Sequence, residues 1–168
     1  MKTGLINKNK GFTLLEALVA ISILMVAVVA PITIAQKGLS SSYYSKNQMI
    51  ASYLAQDAIE YIKNIRDMNV INENPWLDRL DLCLGVNICM IDTNANVGEG
   101  EVMADDETPL KIQDGFYGFY GDDTNFTRTI KITKQEISGV DDQAMITVTV
   151  SWGAIENTII VKTLIFNI

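Results

Sequence analysis

The sequence of 168 residues contains no histidine, only two cysteines and only three prolines. Without histidine, the chain lacks the commonest general base and the commonest transition-metal ligand. Two thiolates alone do not complete a tetrahedral zinc site. The sequence also shows no glycine-rich phosphate loop, no nucleophile motif and no internal repeat. These absences argue against an enzyme, and we expect no cofactor.

Positive charge is scarce, since the formal net charge is -7. Three of the lysines, Lys2, Lys8 and Lys10, precede Gly11, so the rest of the chain is more acidic than the total indicates. An acidic body disfavours binding to a phosphate backbone. One strand region carries Arg128, Lys131 and Lys134, which form at most a weak basic patch. We therefore expect no nucleic-acid partner.

The two cysteines, Cys83 and Cys89, are six positions apart among turn and strand residues. In an exported protein this short spacing predicts a local disulfide across a hairpin. In the cytosol the same residues would be free thiols.

A long uncharged segment covers residues 17–35. At about 1.5 Å per residue, its roughly 19 residues span about 28 Å, close to the hydrocarbon thickness of a bilayer. Lysines before this segment predict a cytoplasmic N-terminus. A cleaved secretory signal is the alternative, but its one small-x-small site, Val28-Val29-Ala30, is followed by Pro31, a poor residue after a scissile bond.

One acidic residue, Glu16, stands at the mouth of this apolar segment. A carboxylate there is costly unless a partner compensates it, and such residues are commonly functional. An interfacial acid that reaches headgroup water is the plainer interpretation.

The residues around Glu16 form the run Lys10-Gly11-Phe12-Thr13-Leu14-Leu15-Glu16. This run resembles the cleavage and methylation signature of type IV prepilins and of the pseudopilins of type II secretion. The resemblance implies that prepilin peptidase cuts between Gly11 and Phe12, that Phe12 is then N-methylated, and that Glu16 serves filament assembly. It further implies other pilin subunits and an inner-membrane assembly machinery as partners. The expected location is a single-pass inner-membrane protein that becomes part of a cell-surface filament.

The predicted fold class is α+β, with a long N-terminal helix packed on an antiparallel β-sheet head. Apolar residues recur at helical spacing as far as Ile65 and predict a helix over residues 12–68, with a kink at Pro31. Alternation of apolar and polar residues predicts strands at 88–91, 116–119, 126–133, 145–152 and 158–166, with a turn at residues 141–142. The expected regions are a leader (1–11), a transmembrane and filament-core helix (12–36), an amphipathic helical half (37–69) and a head (70–168).

An acidic loop is predicted over residues 92–109. Asp92, Asn94 and Asn96 alternate there, which suits the hard oxygen ligands that calcium prefers. Val97 and Met103, however, stand where an EF-hand requires glycine and a bidentate glutamate. We therefore predict an exposed loop of a filament subunit and keep calcium binding as the alternative.

The sequence differs from a major pilin of this family in two ways, and both favour a minor pilin. Pro31 lies two places earlier than the proline of a major pilin, and the cysteines are mid-chain rather than in a terminal loop. The predicted helix end, Asn64-Ile65-Arg66-Asp67, also resembles those of minor pilins and of a small tip pseudopilin. A pseudopilin is the first alternative, and an uncleaved membrane-tethered binding module is the second.

Overall fold

The computed structural model describes residues 11–94, 102–104, 108–137, 140–153 and 157–167. It has the predicted α+β architecture. The elements in chain order are helix α1 (Leu14–Ile71), a 3-10 helix (Asp81–Cys83), β1 (Cys89–Ile91), β2 (Val102–Ala104), β3 (Lys111–Gln113), β4 (Phe116–Gly118), β5 (Asp122–Asp123), β6 (Phe126–Ile137), β7 (Val140–Trp152) and β8 (Asn157–Phe166).

Helix α1 runs without interruption through Pro31 and ends three residues later than predicted. Its end is a Schellman motif, in which Glu73 adopts a positive φ of 57°. The Glu73 N–H donates to the carbonyl of Val70, and the Asn74 N–H donates to the carbonyl of Asn69. These bonds satisfy carbonyls that a helix end leaves free. Glycine is the usual residue at this position, so a glutamate here gives no sequence signal that the helix ends.

The chain divides into two compact units, one ending at Tyr44 and one beginning at Ser45. In the second unit, the predicted amphipathic face of α1 is confirmed as the helical half of the core. Its buried apolar residues are Ala51, Leu54, Ala55, Ala58, Ile59, Tyr61, Ile62 and Ile65.

The other half of this core is a five-stranded antiparallel sheet with strand order β2-β1-β6-β7-β8. The predicted meander is confirmed for β6, β7 and β8, which follow one another in the chain and in space. Inward-facing residues alternate with outward-facing ones along β7, as expected for a sheet with one buried face. The inward set of β7 is Ala144, Ile146, Val148, Val150 and Trp152.

A second, smaller sheet has the order β4-β3-β5. Strands β3 and β4 form a hairpin whose two-residue turn, Asp114-Gly115, has positive φ angles of 52° and 87°. Asp-Gly is a favoured pair at such a turn because both positions need φ above zero. The alternation pattern predicts β4 but not β3, and Asp114-Gly115 is the sequence signal for the turn that joins them.

Two predictions about loops were wrong. The turn expected at Asp141-Asp142 lies inside β7, at a register shift between the pairs Val140–Ile137 and Gln143–Gln135. The loop expected over 92–109 contains strand β2, whose three residues pair with β1. In both places, pairing with a neighbouring strand outweighs the local preference of polar residues for turns and loops.

The structure joins Cys83 and Cys89 in a disulfide, with their Cα atoms 4.8 Å apart. Both residues are buried, and Cys89 begins β1. Between them, the Gly85 N–H donates to the carbonyl of Ile132 in β6 at 2.9 Å. The disulfide therefore closes a short loop that is hydrogen-bonded to β6.

Replacing both cysteines with alanine should lower the free energy of unfolding by about 2 kcal/mol, because a short closed loop restricts the unfolded chain to that extent. Denaturant unfolding of the detergent-extracted chain, followed by fluorescence of the buried Trp76 and Trp152, measures the change. Reduction of the unmodified chain is the matched control and should give the same loss. An unchanged midpoint in both cases would contradict the expectation.

Candidate assembly site

The N-terminus of α1 is fixed by a hydrogen-bonded cap. The Glu16 N–H donates to Thr13 Oγ1 at 3.3 Å, and the Ala17 N–H donates to the Thr13 carbonyl at 3.1 Å. Thr13 is therefore the N-cap residue and Glu16 occupies the third helical position, the spacing of a capping box. A carboxylate in the first turn also interacts favourably with the positive end of the helix dipole. This local role of Glu16 was not among the predictions, although the spacing Thr13-x-x-Glu16 indicates it.

Glu16 forms no ion pair with any residue that the structure describes. Its side chain is exposed, as are Phe12, Leu14 and Leu15 around it. Within the described residues, Glu16 is thus a carboxylate without a cationic partner at the head of an apolar helix.

The helical segment after Glu16 is apolar on all sides. An 18-residue window of α1 has a mean hydropathy of 2.7, and none of this window is buried. Exposed apolar side chains include Val19, Ile21, Leu24, Val28 and Ile34. A helix that is hydrophobic all round is stable when surrounded by lipid or by other helices. Length and composition therefore suit both a membrane span and a packed filament core.

The bond between Gly11 and Phe12 precedes the first helical residue, Leu14. Peptidases act on extended backbone, and this bond needs no unwinding of α1. Phe12 is exposed, and a Cβ added at Gly11 meets no atom within 4 Å. The glycine is therefore not required by the packing of the described residues.

A capped apolar helix with an acid in its first turn, joined to an antiparallel head, is the arrangement of a pilin-like protein. The family model described as the prokaryotic N-terminal methylation motif matches residues 6–30, which include Gly11, Phe12 and Glu16. This match supports the type IV pilin and pseudopilin family for the chain. The motif implies processing by prepilin peptidase and assembly into filaments, with anchoring in the inner membrane before assembly. No curated protein and no solved structure matches the chain.

The predicted calcium ligands are engaged in local structure. Asp92 Oδ1 accepts the Asn94 N–H at 3.0 Å, and Asn94 Nδ2 donates to the Tyr117 carbonyl at 3.0 Å. Asn96 lies outside the described residues. In the ranges that the structure describes, no three acidic, cysteine or histidine side chains are grouped to hold a metal. Calcium binding by this loop stays an untested alternative.

Arg128 has a role that sequence analysis did not assign. It lies on β6 and is only 1% exposed, so it contributes nothing to a basic surface patch with Lys131 and Lys134. Its Nη1 donates to the Leu54 carbonyl at 3.0 Å and to Asp57 Oδ2 at 3.1 Å. Its Nη2 donates to the Ile91 carbonyl at 2.9 Å and to Thr93 Oγ1 at 3.3 Å. One side chain thus ties together α1, the end of β1 and β6.

Burial lowers the pKa of the Arg128 guanidinium, because desolvation disfavours its charged form, whereas the charge of Asp57 opposes that shift. The side chain of Asp57 is 51% exposed, so water hydrates the acid but not the guanidinium. The alternation of β6 could have revealed this arrangement, since Arg128 stands at an inward position in line with Ile130 and Ile132.

Proposed function

We propose that the chain is a minor pilin of a type IV pilus-like filament, made as a precursor with a leader of residues 1–11. The single observation that carries this proposal is Glu16, which has no ion-pair partner among the described residues, at the head of an exposed apolar helical segment. Cleavage after Gly11 creates a new amine at Phe12, and the Glu16 carboxylate of a neighbouring subunit neutralises that amine. N-methylation of Phe12 keeps the amine positively charged at neutral pH.

The same chemistry gives the filament a register. Two charges among apolar helices are each costly, and one stagger between subunits brings amine and carboxylate together. The apolar remainder of the segment, residues 12–36, packs with equal ease at many staggers. The charged pair therefore selects the stagger, while the surrounding side chains provide the cohesion.

The minor-subunit assignment is supported by the position of Pro31 and by the mid-chain disulfide, both unlike a major pilin. A pseudopilin of a type II secretion system has the same leader and helix chemistry and is the second candidate. Quantitative mass spectrometry of sheared filaments separates these proposals: a minor pilin is present at a small fraction of the most abundant subunit. A chain found only with a secretion apparatus supports the pseudopilin.

The N-terminal lysines support insertion with the leader in the cytoplasm and the head outside. Protease added to intact spheroplasts should therefore digest the head and spare the leader. An uncleaved membrane-tethered module would share this orientation, so orientation alone does not decide between the two.

Co-expression with a prepilin peptidase tests the proposal directly. The intact mass and N-terminal sequence of the membrane-extracted product should correspond to a chain that begins at Phe12, with or without one added methyl group. An uncut chain would favour the membrane-tethered module, and a cut near Ala30 would favour an ordinary secreted protein.

Replacing Gly11 with valine should block this cleavage, because a β-branched side chain obstructs close approach of the peptidase to the scissile bond. The fold itself tolerates the change, since the space around Gly11 is open. Gly38 provides the matched control: it is also exposed and unobstructed, and Gly38→Val should be cleaved normally. Normal cleavage of Gly11→Val, read from the intact mass, would show that the peptidase does not recognise this glycine.

A further inference from the structure

The head carries a groove between helix α1 and the β3–β4 hairpin. Two cavities, of about 260 and 680 Å³, share Asp57, Asn94 and Phe116 in their walls. Tyr53 on α1 lines the smaller cavity, and Asp114 at the hairpin turn lines the larger. We call these five residues and the space between them the aromatic–acidic groove.

Contacts of Asn94 and Tyr117 hold one wall of this groove in place. Asn94 Nδ2 donates to the Tyr117 carbonyl in β4, and the Tyr117 ring packs edge-on against Phe126 with centroids 6.0 Å apart. A Cβ at Gly118 would lie 2.6 Å from Asn94 Nδ2, so glycine permits this close approach. Strand β4 is therefore held against Asn94 and against β6 before any partner arrives, which reduces the entropic cost of binding.

Two aromatic side chains of the groove are strongly exposed. Tyr53 is 63% exposed and Phe116 is 67% exposed. They come from different elements, one helical and one at a hairpin turn, yet they line the same cavity. Exposed aromatic rings around a concave site are typical of surfaces that bind a partner.

The electrostatics of the groove favour a cation. Asp57 and Asp114 line it, and no lysine or arginine does so among the described residues. Asp57 accepts bonds from Arg128 and Thr93 through Oδ2, which leaves Oδ1 without a described partner. Arg128 offsets the charge of Asp57, whereas Asp114 forms no ion pair with any described residue. The local charge is therefore negative where the aromatic rings are exposed.

We propose that the aromatic–acidic groove binds a lysine or arginine side chain of a neighbouring filament subunit, an inference that rests on the proposed function. The aliphatic stem of such a side chain packs along Tyr53 and Phe116, and its charged end reaches Asp57 Oδ1 and Asp114. A cation over an aromatic face gains further electrostatic stabilisation. An anionic or wholly apolar occupant would leave these carboxylates repelled or desolvated without compensation. The groove thus gives the head its own contact, separate from the pairing at Glu16.

A pair of small probes tests the groove without requiring a filament. Nα-acetyl-lysine amide and its neutral analogue, Nα-acetyl-norleucine amide, are titrated into the full chain in detergent micelles, and binding is followed by amide NMR shifts. The lysine probe should bind about fivefold more tightly, which corresponds to about 1 kcal/mol, and this preference should decline as salt is added. Shifts should centre on residues 53 and 114–117.

The Tyr53→Ala/Phe116→Ala variant should lose the preference for lysine, whereas Tyr120→Ala should keep it. Tyr120 is 73% exposed and lies outside the groove, so Tyr120→Ala also removes an exposed aromatic ring but leaves the groove unchanged. Asp114→Asn should reduce the preference while preserving the positive φ that asparagine tolerates. Equal binding of the two probes by the unmodified chain would overturn the proposal.

Photocrosslinking in assembled filaments tests the partner. Benzoylphenylalanine at position 116 should capture a peptide of another pilin subunit that contains lysine or arginine, and the same group at position 120 should not. A chain that is processed and assembled but captures no such peptide at position 116 would refute the groove contact and leave the proposed function standing. A chain that is never cleaved or assembled would refute the proposed function, whatever the probe titration shows.

Discussion

Glu16→Ala should produce a precursor that inserts into the membrane and is cleaved at Gly11, yet is absent from filaments. Insertion should persist because residues 17–35 keep their apolar length, and removal of a charge makes insertion easier rather than harder. Incorporation should fail because the Phe12 amine of a neighbouring subunit loses its carboxylate. Immunoblots of the membrane and of sheared filaments measure both quantities in one culture.

Glu16→Gln separates the charge of this residue from its position in the capping box. The observed cap bond runs from the Glu16 backbone N–H to Thr13 Oγ1, and glutamine also suits the third position of a capping box, so the start of α1 should be preserved. It cannot neutralise an ammonium group. We therefore expect Glu16→Gln to fail in assembly almost as severely as Glu16→Ala.

The two variants distinguish three outcomes. Failure of both supports the pairing with Phe12. Failure of Glu16→Ala alone would mean that the residue acts by capping the helix, and the register mechanism would be wrong. Normal incorporation of both would leave Glu16 as an interfacial acid without a role in assembly. Thr13→Ala is a useful companion, since it removes the cap and leaves the carboxylate.

The helix and the central meander could be predicted from the sequence because each rests on a long periodic signal. The apolar run after Glu16 is uninterrupted by charge, and the spacing from Ile50 to Ile65 repeats at helical steps over several turns. In β7, Ile146 and Val148 alternate with threonines, which fixes the buried face. Patterns of this length outweigh local exceptions such as Pro31.

The small sheet and the groove could not be predicted in the same way. Strands β3 and β5 have three and two residues, too few to display a period. Their pairing depends on contacts distant in sequence, such as the bond from the Leu110 N–H to the Phe126 carbonyl at 2.7 Å. Tyr53 and Phe116 are far apart in the chain, so only the fold shows that they share a cavity.

Arg128→Ala should lower the free energy of unfolding by about 3 kcal/mol, as is typical when a large buried side chain and its hydrogen bonds are lost together. The substitution removes four hydrogen bonds that link α1, β1 and β6, and it leaves a cavity where the side chain was. It also withdraws donors from the carbonyls of Leu54 and Ile91. Denaturant unfolding followed by tryptophan fluorescence measures the loss.

Lys131→Ala is the matched control because it removes a positive charge from the same strand at an outward-facing position. Its effect should stay within about 0.5 kcal/mol, as is usual for surface substitutions. Equal effects at the two positions would show that Arg128 acts only through the net charge of the head. A large difference would show that its buried hydrogen bonds hold the helix to the sheet.

Asp57→Asn removes the acid that pairs with Arg128. Its effect on the free energy of unfolding should fall between those of Arg128→Ala and Lys131→Ala. The variant retains an acceptor for Thr93 but leaves the buried guanidinium with one fewer anion to compensate it. Because Asp57 is half exposed, solvent already screens part of its interaction, and a loss of about 1 kcal/mol is expected. Asp57 also lines the aromatic–acidic groove, so the same variant should weaken the preference for the lysine probe. A loss of probe preference with an unchanged unfolding midpoint would mean that Asp57 serves the groove and that the other partners of Arg128 suffice to hold its charge.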